Sequence, residues 1–107
     1  MENNFQFTND SLVTGATLSH LHVLNRKINE INKLSLDILL SKDIDGETAL
    51  HYAATNDDLE ICKILIERCP DLVNIKDNDS MTAYDWAKSY NEEYNSHIDV
   101  CSYLKMF

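Results

Sequence analysis

The stretch DIDGETALHYAA, residues 43–54, recurs as DNDSMTAYDWAK, residues 77–88, at a spacing of 34 residues. The two copies share two aspartates, one threonine and two alanines, which pair as Asp43/Asp77, Asp45/Asp79, Thr48/Thr82, Ala49/Ala83 and Ala53/Ala87. The preceding segment also recurs, since DILLSKD (37–43) lies over DLVNIKD (71–77). A period in the low thirties predicts a stacked helical array, in which each unit buries its apolar face against its neighbour.

A third and weaker copy lies near the start of the chain. GATLSHLHV (15–23) aligns with GETALHYAA (46–54) at a spacing of 31, so about three residues are missing between Ile28 and Asp37. Further along, LEICKILI (59–66) aligns with IDVCSYLK (98–105) at a spacing of 39. The five extra residues fall within NEEYNSH (91–97), and we expect them to lengthen the connection between the two helices of the last repeat.

Residues 43–76 resemble an ankyrin repeat, with its pattern D-x-x-G-x-T-x-L-H-x-A, a second helix, and an Asp and Asn before the next turn. Residues 77–107 are similar to a C-terminal ankyrin repeat, and residues 15–42 to a degenerate first repeat. The resemblance implies an all-α fold, an ankyrin-repeat solenoid of paired antiparallel helices with finger turns. We therefore expect a flexible lead-in over 1–14 and one ankyrin-repeat domain over 15–107.

Each repeat is predicted to begin its first helix with a cap. Thr48 precedes ALHYAATN and can accept a hydrogen bond from a backbone N–H of the first turn. The resemblance implies a pairing of Thr48 with His51, and the spacing fits a capping box, which Thr17 and His20 repeat. The last repeat has Asp85 at the histidine position, and an acid suits a helix N-terminus.

Turn and end positions complete the prediction of the repeats. Gly46 frees the backbone of its turn, and Ser80 replaces it in the last repeat, where we expect a tighter or slightly strained turn. Ala54 aligns with Lys88, and the position of Ile66 is taken by Lys105. Charge at these positions predicts a solvent-facing cap, with the chain ending close to residue 107.

Composition limits the classes of function. The formal charge is −9, from 18 acidic and 9 basic residues. This argues against a nucleic-acid surface and favours a basic partner, although a solvated acidic surface without a partner explains it as well. The sequence predicts neither a membrane span nor a signal peptide. Cys62, Cys69 and Cys101 are irregularly spaced, which predicts buried thiols in a reducing, cytoplasmic setting.

No motif indicates catalysis, a cofactor or a metal. His20 and His22 are two apart, so on a helix they point in different directions, and no third ligand lies nearby. Cys69 and His97 have no spacing typical of a nucleophilic triad. With two glycines in the chain, a loop that cradles phosphate is implausible. We expect no enzyme activity and no cofactor.

Surface positions remain as the candidate site. The resemblance implies that a partner meets the finger turns and the concave side of the first helices. Carried over position by position, this surface consists of Lys42, Ile44, Asp45, Glu47, Tyr52, Thr55, Asn56, Lys76, Asn78, Asp79, Met81, Trp86, Ser89, Tyr90 and Tyr94. The first repeat adds Val13, Thr14, Ala16, Leu24 and Asn25.

The aromatic residues of this surface have two interpretations. Trp86 and Tyr90 are four apart on one helix, and Tyr52 aligns with Trp86 one repeat earlier, so the three can form an aromatic stripe. Surface aromatics are enriched in binding hot spots. Alternatively, Tyr52 and Trp86 mostly fill space between helices. Tyr94, within the insertion, suits a basic partner or is part of a neutral loop.

Three functional hypotheses follow. The first is a small non-enzymatic protein–protein interaction module that binds a partner with a basic surface. The second is an inhibitor, immunity protein or secreted effector that masks an enzyme or a host protein. The third is self-association through the stack ends, with FQF (5–7) at one and Met106 and Phe107 at the other. We expect a monomer, with a homodimer through these ends as the alternative.

Overall fold

A computed structural model describes residues 17–107, which contain seven α-helices and one 3₁₀-helix and no strand. The helices are α1 (Leu18–Leu24), α2 (Ile28–Ile31), α3 (Leu36–Leu39), α4 (Ala49–Thr55), α5 (Leu59–Arg68), the 3₁₀-helix Pro70–Asn74, α6 (Ala83–Tyr94) and α7 (Ile98–Leu104). The predicted lead-in 1–14, the segment FQF, and the candidate residues Val13, Thr14 and Ala16 lie outside the described residues.

The helices pair and stack as the repeat predicts. Helices α1, α4 and α6 begin the three repeats and pack side by side, and α5 and α7 lie behind them. Small residues such as Ala53 and Ala87 are fully buried where the first helices approach each other. Leu50, Ile61 and Leu65 fill the space between the two layers and are inaccessible to solvent. The all-α ankyrin-type solenoid is therefore confirmed.

The finger turns before α4 and α6 are built in the same way. Asp43 Oδ1 accepts hydrogen bonds from the backbone N–H groups of Asp45 (2.9 Å) and Glu47 (2.8 Å). Asp77 Oδ1 does the same for Asp79 and Met81, at 2.9 Å each. Both aspartates are buried, so each shapes its turn from inside.

Adjacent fingers are joined through Asn78. Its backbone N–H donates to the Asp45 carbonyl (2.9 Å), and its Nδ2 donates to the Ile44 carbonyl (3.0 Å). Gly46 has φ +78°, and a Cβ there would lie 2.6 Å from Asn78 Oδ1, so only glycine fits this approach. Ser80, at the matching position, has φ 63°, which confirms the strained turn expected there.

The Thr–His caps also connect one repeat to the next. The backbone N–H of Thr48 donates to His51 Nδ1 (3.1 Å), and His51 Nε2 donates to the Met81 carbonyl of the next finger (2.9 Å). His20 repeats the arrangement, with Nε2 donating to the Glu47 carbonyl at 2.7 Å. Since a carbonyl can only accept, each Nε2 carries a proton, and since each Nδ1 accepts from a threonine N–H it carries none, so both rings are neutral. Burial lowers the pKa of both histidines below 6.5.

The last repeat departs from the prediction for the insertion. The extra residues were expected to lengthen a helix connection, but most of them extend the first helix, since α6 runs to Tyr94 and has 12 residues against 7 in α4. The helix ends at Asn95, which has φ 56°, a left-handed conformation that asparagine tolerates and that stops a helix. That prediction was therefore wrong for most of the segment.

The first repeat is shortened in its second helix. Helix α2 has 4 residues, whereas α5 has 10. Arg68 of the next repeat reaches its end, and its guanidinium donates to the carbonyls of Ile31 (3.0 Å) and Leu34 (2.6 Å). The Ile31 carbonyl also accepts from the backbone N–H of Leu34 (3.2 Å), so Arg68 adds a second donor there and supplies the donor to the Leu34 carbonyl just beyond the short helix.

Candidate functional site: the concave groove

A groove runs between the first helices and the finger turns. We call it the concave groove, and its volume is about 260 Å³. It is lined by Leu24, Glu47, Tyr52, Thr55, Asn56, Trp86 and Tyr90. All seven lining residues belong to the surface predicted from the sequence, although the first and the last of them are 66 positions apart in the chain. All three repeats contribute to it.

Two aromatic rings of the groove are fixed by the finger aspartates. The Tyr52 hydroxyl donates to Asp43 Oδ2 (2.5 Å), and Trp86 Nε1 donates to Asp77 Oδ2 (2.7 Å). Burial and the neighbouring Asp43 raise the pKa of Tyr52, so it remains a donor. The polar ends of both rings are thus occupied, so the rings line the groove without a free donor. Both interpretations of Tyr52 and Trp86 are combined here, because the side chains are half-buried and also line the groove.

Asp77 is held ionised by this arrangement. Burial alone would raise the pKa of its carboxyl, but hydrogen bonds from Trp86 and from the backbone N–H groups of Met81 and Asp79 outweigh burial and lower it. The Asp77 carboxylate therefore stabilises the finger turn and the position of the Trp86 ring. Asp43 is engaged in the same way, so neither of these aspartates is available to a partner.

Glu47 is the acidic group of the groove. It is half-buried, and within residues 17–107 no side chain or backbone N–H donates a hydrogen bond to its carboxylate. Burial, followed by the charges of Asp43, Asp77, Asp45 and Asp79, raises the pKa of Glu47 to about 7. A carboxylate surrounded by like charges and without a donor is stabilised by an external cation.

Tyr90 is held by a residue that the sequence analysis did not select. The His97 ring stacks on Tyr90, with centroids 4.6 Å apart and an angle of 14°. His97 Nε2 donates to the Thr55 carbonyl at 2.7 Å, and Ser96 Oγ lies 2.8 Å from His97 Nδ1. His97 falls within the insertion, outside the register of the repeat, so no aligned position pointed to it. The insertion therefore braces one wall of the groove.

The fingers place further predicted residues at the rim of the groove. Exposed side chains in this part of the surface are Lys42, Ile44, Asp45, Lys76, Asn78, Asp79 and, on the first repeat, Asn25. Asp45 and Asp79 carry charge without serving the turns through their side chains, whereas the amide of Asn78 is used to join the fingers.

Three other predicted residues stand apart from the groove lining. Met81 and Ser89 are half-buried, and the Met81 backbone accepts from His51. Tyr94 is 64% exposed at the end of α6, with its ring centroid 6.1 Å from that of Tyr90. It extends the aromatic surface beyond the groove.

The described residues show little that would serve another chemistry. In residues 17–107, no group of three or more His, Cys, Asp and Glu side chains is placed to hold a metal ion. None of the helices described above is both long and apolar enough to span a bilayer. Cys62 and Cys69 are buried free thiols, and burial raises the pKa of both.

Comparison with known proteins agrees with this geometry. A family model described as ankyrin repeats, in three copies, matches residues 9–106. The chain belongs to the ankyrin repeat family. A protein of Rickettsia bellii (strain RML369-C) whose name describes it as an ankyrin repeat protein is 51% identical to this chain over 45 residues, which cover 41% of the chain. The match spans 45% of that relative's length. Ankyrin repeats generally mediate protein–protein interaction and form a non-enzymatic module.

Proposed function

We propose that this ankyrin repeat chain binds one protein partner through the concave groove and the finger turns, and that the partner surface is basic. The observation that carries the proposal is the convergence of three repeats on one groove whose charged group is Glu47. The aromatic walls supply contact area with little side-chain entropy to lose, because Tyr52 and Trp86 are already fixed.

The charge of the fingers supports a basic partner. Asp45 and Asp79 are exposed on the tips of adjacent fingers, and the chain as a whole carries a formal charge of −9. Complementary charge speeds encounter and selects partners more than it adds affinity. We therefore expect a salt-sensitive association rate. We further propose an intracellular, reducing setting, which suits the three free cysteines.

A charge-reversal experiment tests the proposal. The tagged protein and its Asp45→Lys/Asp79→Lys variant are used to capture partners from a native lysate, over a range of salt concentrations. Asp37→Lys/Asp71→Lys is the matched control, because these exposed aspartates have the same spacing of 34 and the same total charge change but lie away from the fingers. Circular dichroism checks that each variant is folded.

We expect the finger variant to lose partners that the wild type and the control retain. Partners that persist on the finger variant with unchanged salt sensitivity would contradict the acidic-finger proposal. Equal losses from both variants would show that net charge, rather than the finger surface, governs binding.

Self-association is the second candidate, and one feature favours it. Met106 and Phe107 are 75% and 58% exposed at the end of the last repeat, and Ile98, at the start of α7, is 55% exposed. Phe107 contacts Tyr103 edge-on, with ring centroids 5.2 Å apart, and the residue as a whole remains exposed. Light scattering distinguishes the candidates: a mass that doubles with concentration, and returns to the monomer in Phe107→Ser, supports the dimer.

A further inference from the structure

We propose that the concave groove receives the side chain of one arginine from the partner, with the guanidinium placed between the aromatic walls and against the Glu47 carboxylate. This inference deepens the proposed function and rests on it. It specifies the partner chemistry more narrowly than a basic surface does. It is carried by the size of the groove, the nature of its walls and its single charged group.

The size of the groove fits one side chain. Small-molecule sites occupy roughly 300–1,000 Å³. At about 260 Å³, the concave groove lies below this range and is open to solvent. A side chain that enters from a partner surface needs no more room. Leu24, which is 50% exposed, offers apolar contact for the methylene stem.

The walls favour a planar cation. Tyr52, Trp86 and Tyr90 all line the groove, and the polar ends of Tyr52 and Trp86 are bonded to buried aspartates. Tyr52 and Trp86 therefore offer aromatic ring surface without a free donor, and Tyr90 adds a ring that His97 stacks on from one side. A guanidinium stacks on aromatic rings and is more weakly hydrated than an ammonium, so it loses less on entering a half-buried groove.

Glu47 supplies the anionic end of the site. Its carboxylate receives no hydrogen bond from residues 17–107, so both oxygens remain to accept the two parallel N–H groups of a guanidinium. Asp45 and Asp79 are close enough to raise its pKa and add negative potential at the entrance. Among residues 17–107, no basic side chain lines the groove to compete for the carboxylate.

Binding should depend on pH through Glu47. The charged groups that act on it are Asp43 and Asp45 of its own finger and Asp77 and Asp79 of the next finger, all acidic, and burial keeps its titratable neighbours Tyr52 and His20 neutral. Because its pKa is about 7 without a ligand, acidification protonates Glu47 and removes the partner of the guanidinium. We expect arginine affinity to fall as the pH is lowered through 7.

The test is an NMR titration of the ¹⁵N-labelled full chain with capped glycine peptides that carry one central residue. That residue is arginine, lysine or citrulline, the last being the neutral analogue of arginine. We expect saturable shifts at the Trp86 indole N–H and the Glu47 and Tyr90 amides with arginine. Affinity should be several-fold weaker with lysine, and at least tenfold weaker with citrulline, which lacks the charge-assisted bonds.

Variants complete the test. Glu47→Gln should weaken arginine binding at least tenfold and abolish its pH dependence, whereas Glu67→Gln, the same change on the exposed face of α5, should leave both unchanged. Tyr90→Leu removes one stacking face without altering charge and should weaken binding several-fold.

Equal binding of arginine and citrulline, retention of affinity in Glu47→Gln, or absence of saturable shifts at millimolar peptide would overturn the inference. If these results appeared while Asp45→Lys/Asp79→Lys still released the natural partner, the proposed function would stand and only the arginine site would be wrong.

Discussion

The two buried cap histidines should make the stack sensitive to mild acid. His20 and His51 are inaccessible to solvent, and in each the Nδ1 atom accepts a hydrogen bond from a threonine N–H. Protonation would place a charge in a buried site and a proton on Nδ1 against the threonine N–H, so it is disfavoured in the folded chain. In the unfolded chain both rings titrate near 6.5. Their stabilising contribution is complete above this pH and is lost as the pH falls toward the lowered folded pKa.

The magnitude follows from proton linkage. Below pH 6.5 the unfolded state binds one more proton per histidine than the folded state, which gives up to about 1.4 kcal/mol of unfolding free energy per pH unit. The two histidines together give up to about 2.7 kcal/mol per pH unit. Small domains are stable by about 5–15 kcal/mol in total, so this loss is large.

Glu47 acts in the opposite direction. Its folded pKa of about 7 lies above the usual 4.5, so the folded state binds the extra proton between these values and gains stability as the pH falls. The measurement is therefore made in the Glu47→Gln background, where this opposing effect is absent. Asp58 and Asp77 have lowered pKa values, so their effects come only at more acidic pH.

The assay is urea unfolding followed by circular dichroism at several pH values between about 7 and 5. In Glu47→Gln we expect the free energy of unfolding to fall by up to about 2.7 kcal/mol for each unit by which the pH is lowered below 6.5, which is the contribution of the two histidines. Adding His51→Gln should lower stability at pH 7 but roughly halve the slope. A slope near zero in Glu47→Gln, or an unchanged slope after the histidine is removed, would refute the neutral-cap reasoning.

Three further predictions concern single contacts and are measured by urea or thermal unfolding. Gly46→Ala should destabilise by about 2–3 kcal/mol through its positive φ and the clash with the next finger, whereas Ser80→Gly should change stability by less than about 1 kcal/mol; equal effects would contradict this. Arg68→Met should cost about 1–3 kcal/mol, since the Leu34 carbonyl loses its donor and the Ile31 carbonyl keeps only the Leu34 N–H, and a neutral result would exclude the capping role. Trp86→Phe keeps an aromatic ring but leaves Asp77 Oδ2 without its donor, while Oδ1 keeps the N–H groups of Asp79 and Met81, so a loss of about 1–3 kcal/mol and a raised carboxyl pKa are expected; unchanged values would argue against the bond.

The sequence was sufficient for the scaffold because its turns and caps are local chemistry. The Thr48–His51 spacing predicted the cap, and the glycine at position 46 predicted the turn, since both depend on a few neighbouring residues. The hydrogen-bond partner of His51 Nε2 could not be predicted from the sequence of one repeat. Its bond to the Met81 carbonyl forms only when the next finger is in place.

Only part of the candidate surface could be predicted from the sequence. The position of Glu47 followed from the repeat register, but its isolation from donors depends on how three repeats curve around one groove. The structure of the insertion was not predicted, because residues 91–94 extend the first helix beyond the point where the matching helix of the shorter repeat ends. The alignment of the repeats has no counterpart for added residues. The role of His97 was missed for the same reason.

Site-specific photo-crosslinking in the native cell tests the central claim most directly. A photoreactive phenylalanine replaces Asn56 in the groove or Ile44 on a finger, and Lys63 or Glu67 on the exposed side of α5 as matched positions. If partners bind the concave side, crosslinked protein will form from Asn56 and Ile44 and be absent from the α5 positions. Crosslinks from α5 alone, or equally from all four positions, would contradict a concave binding surface.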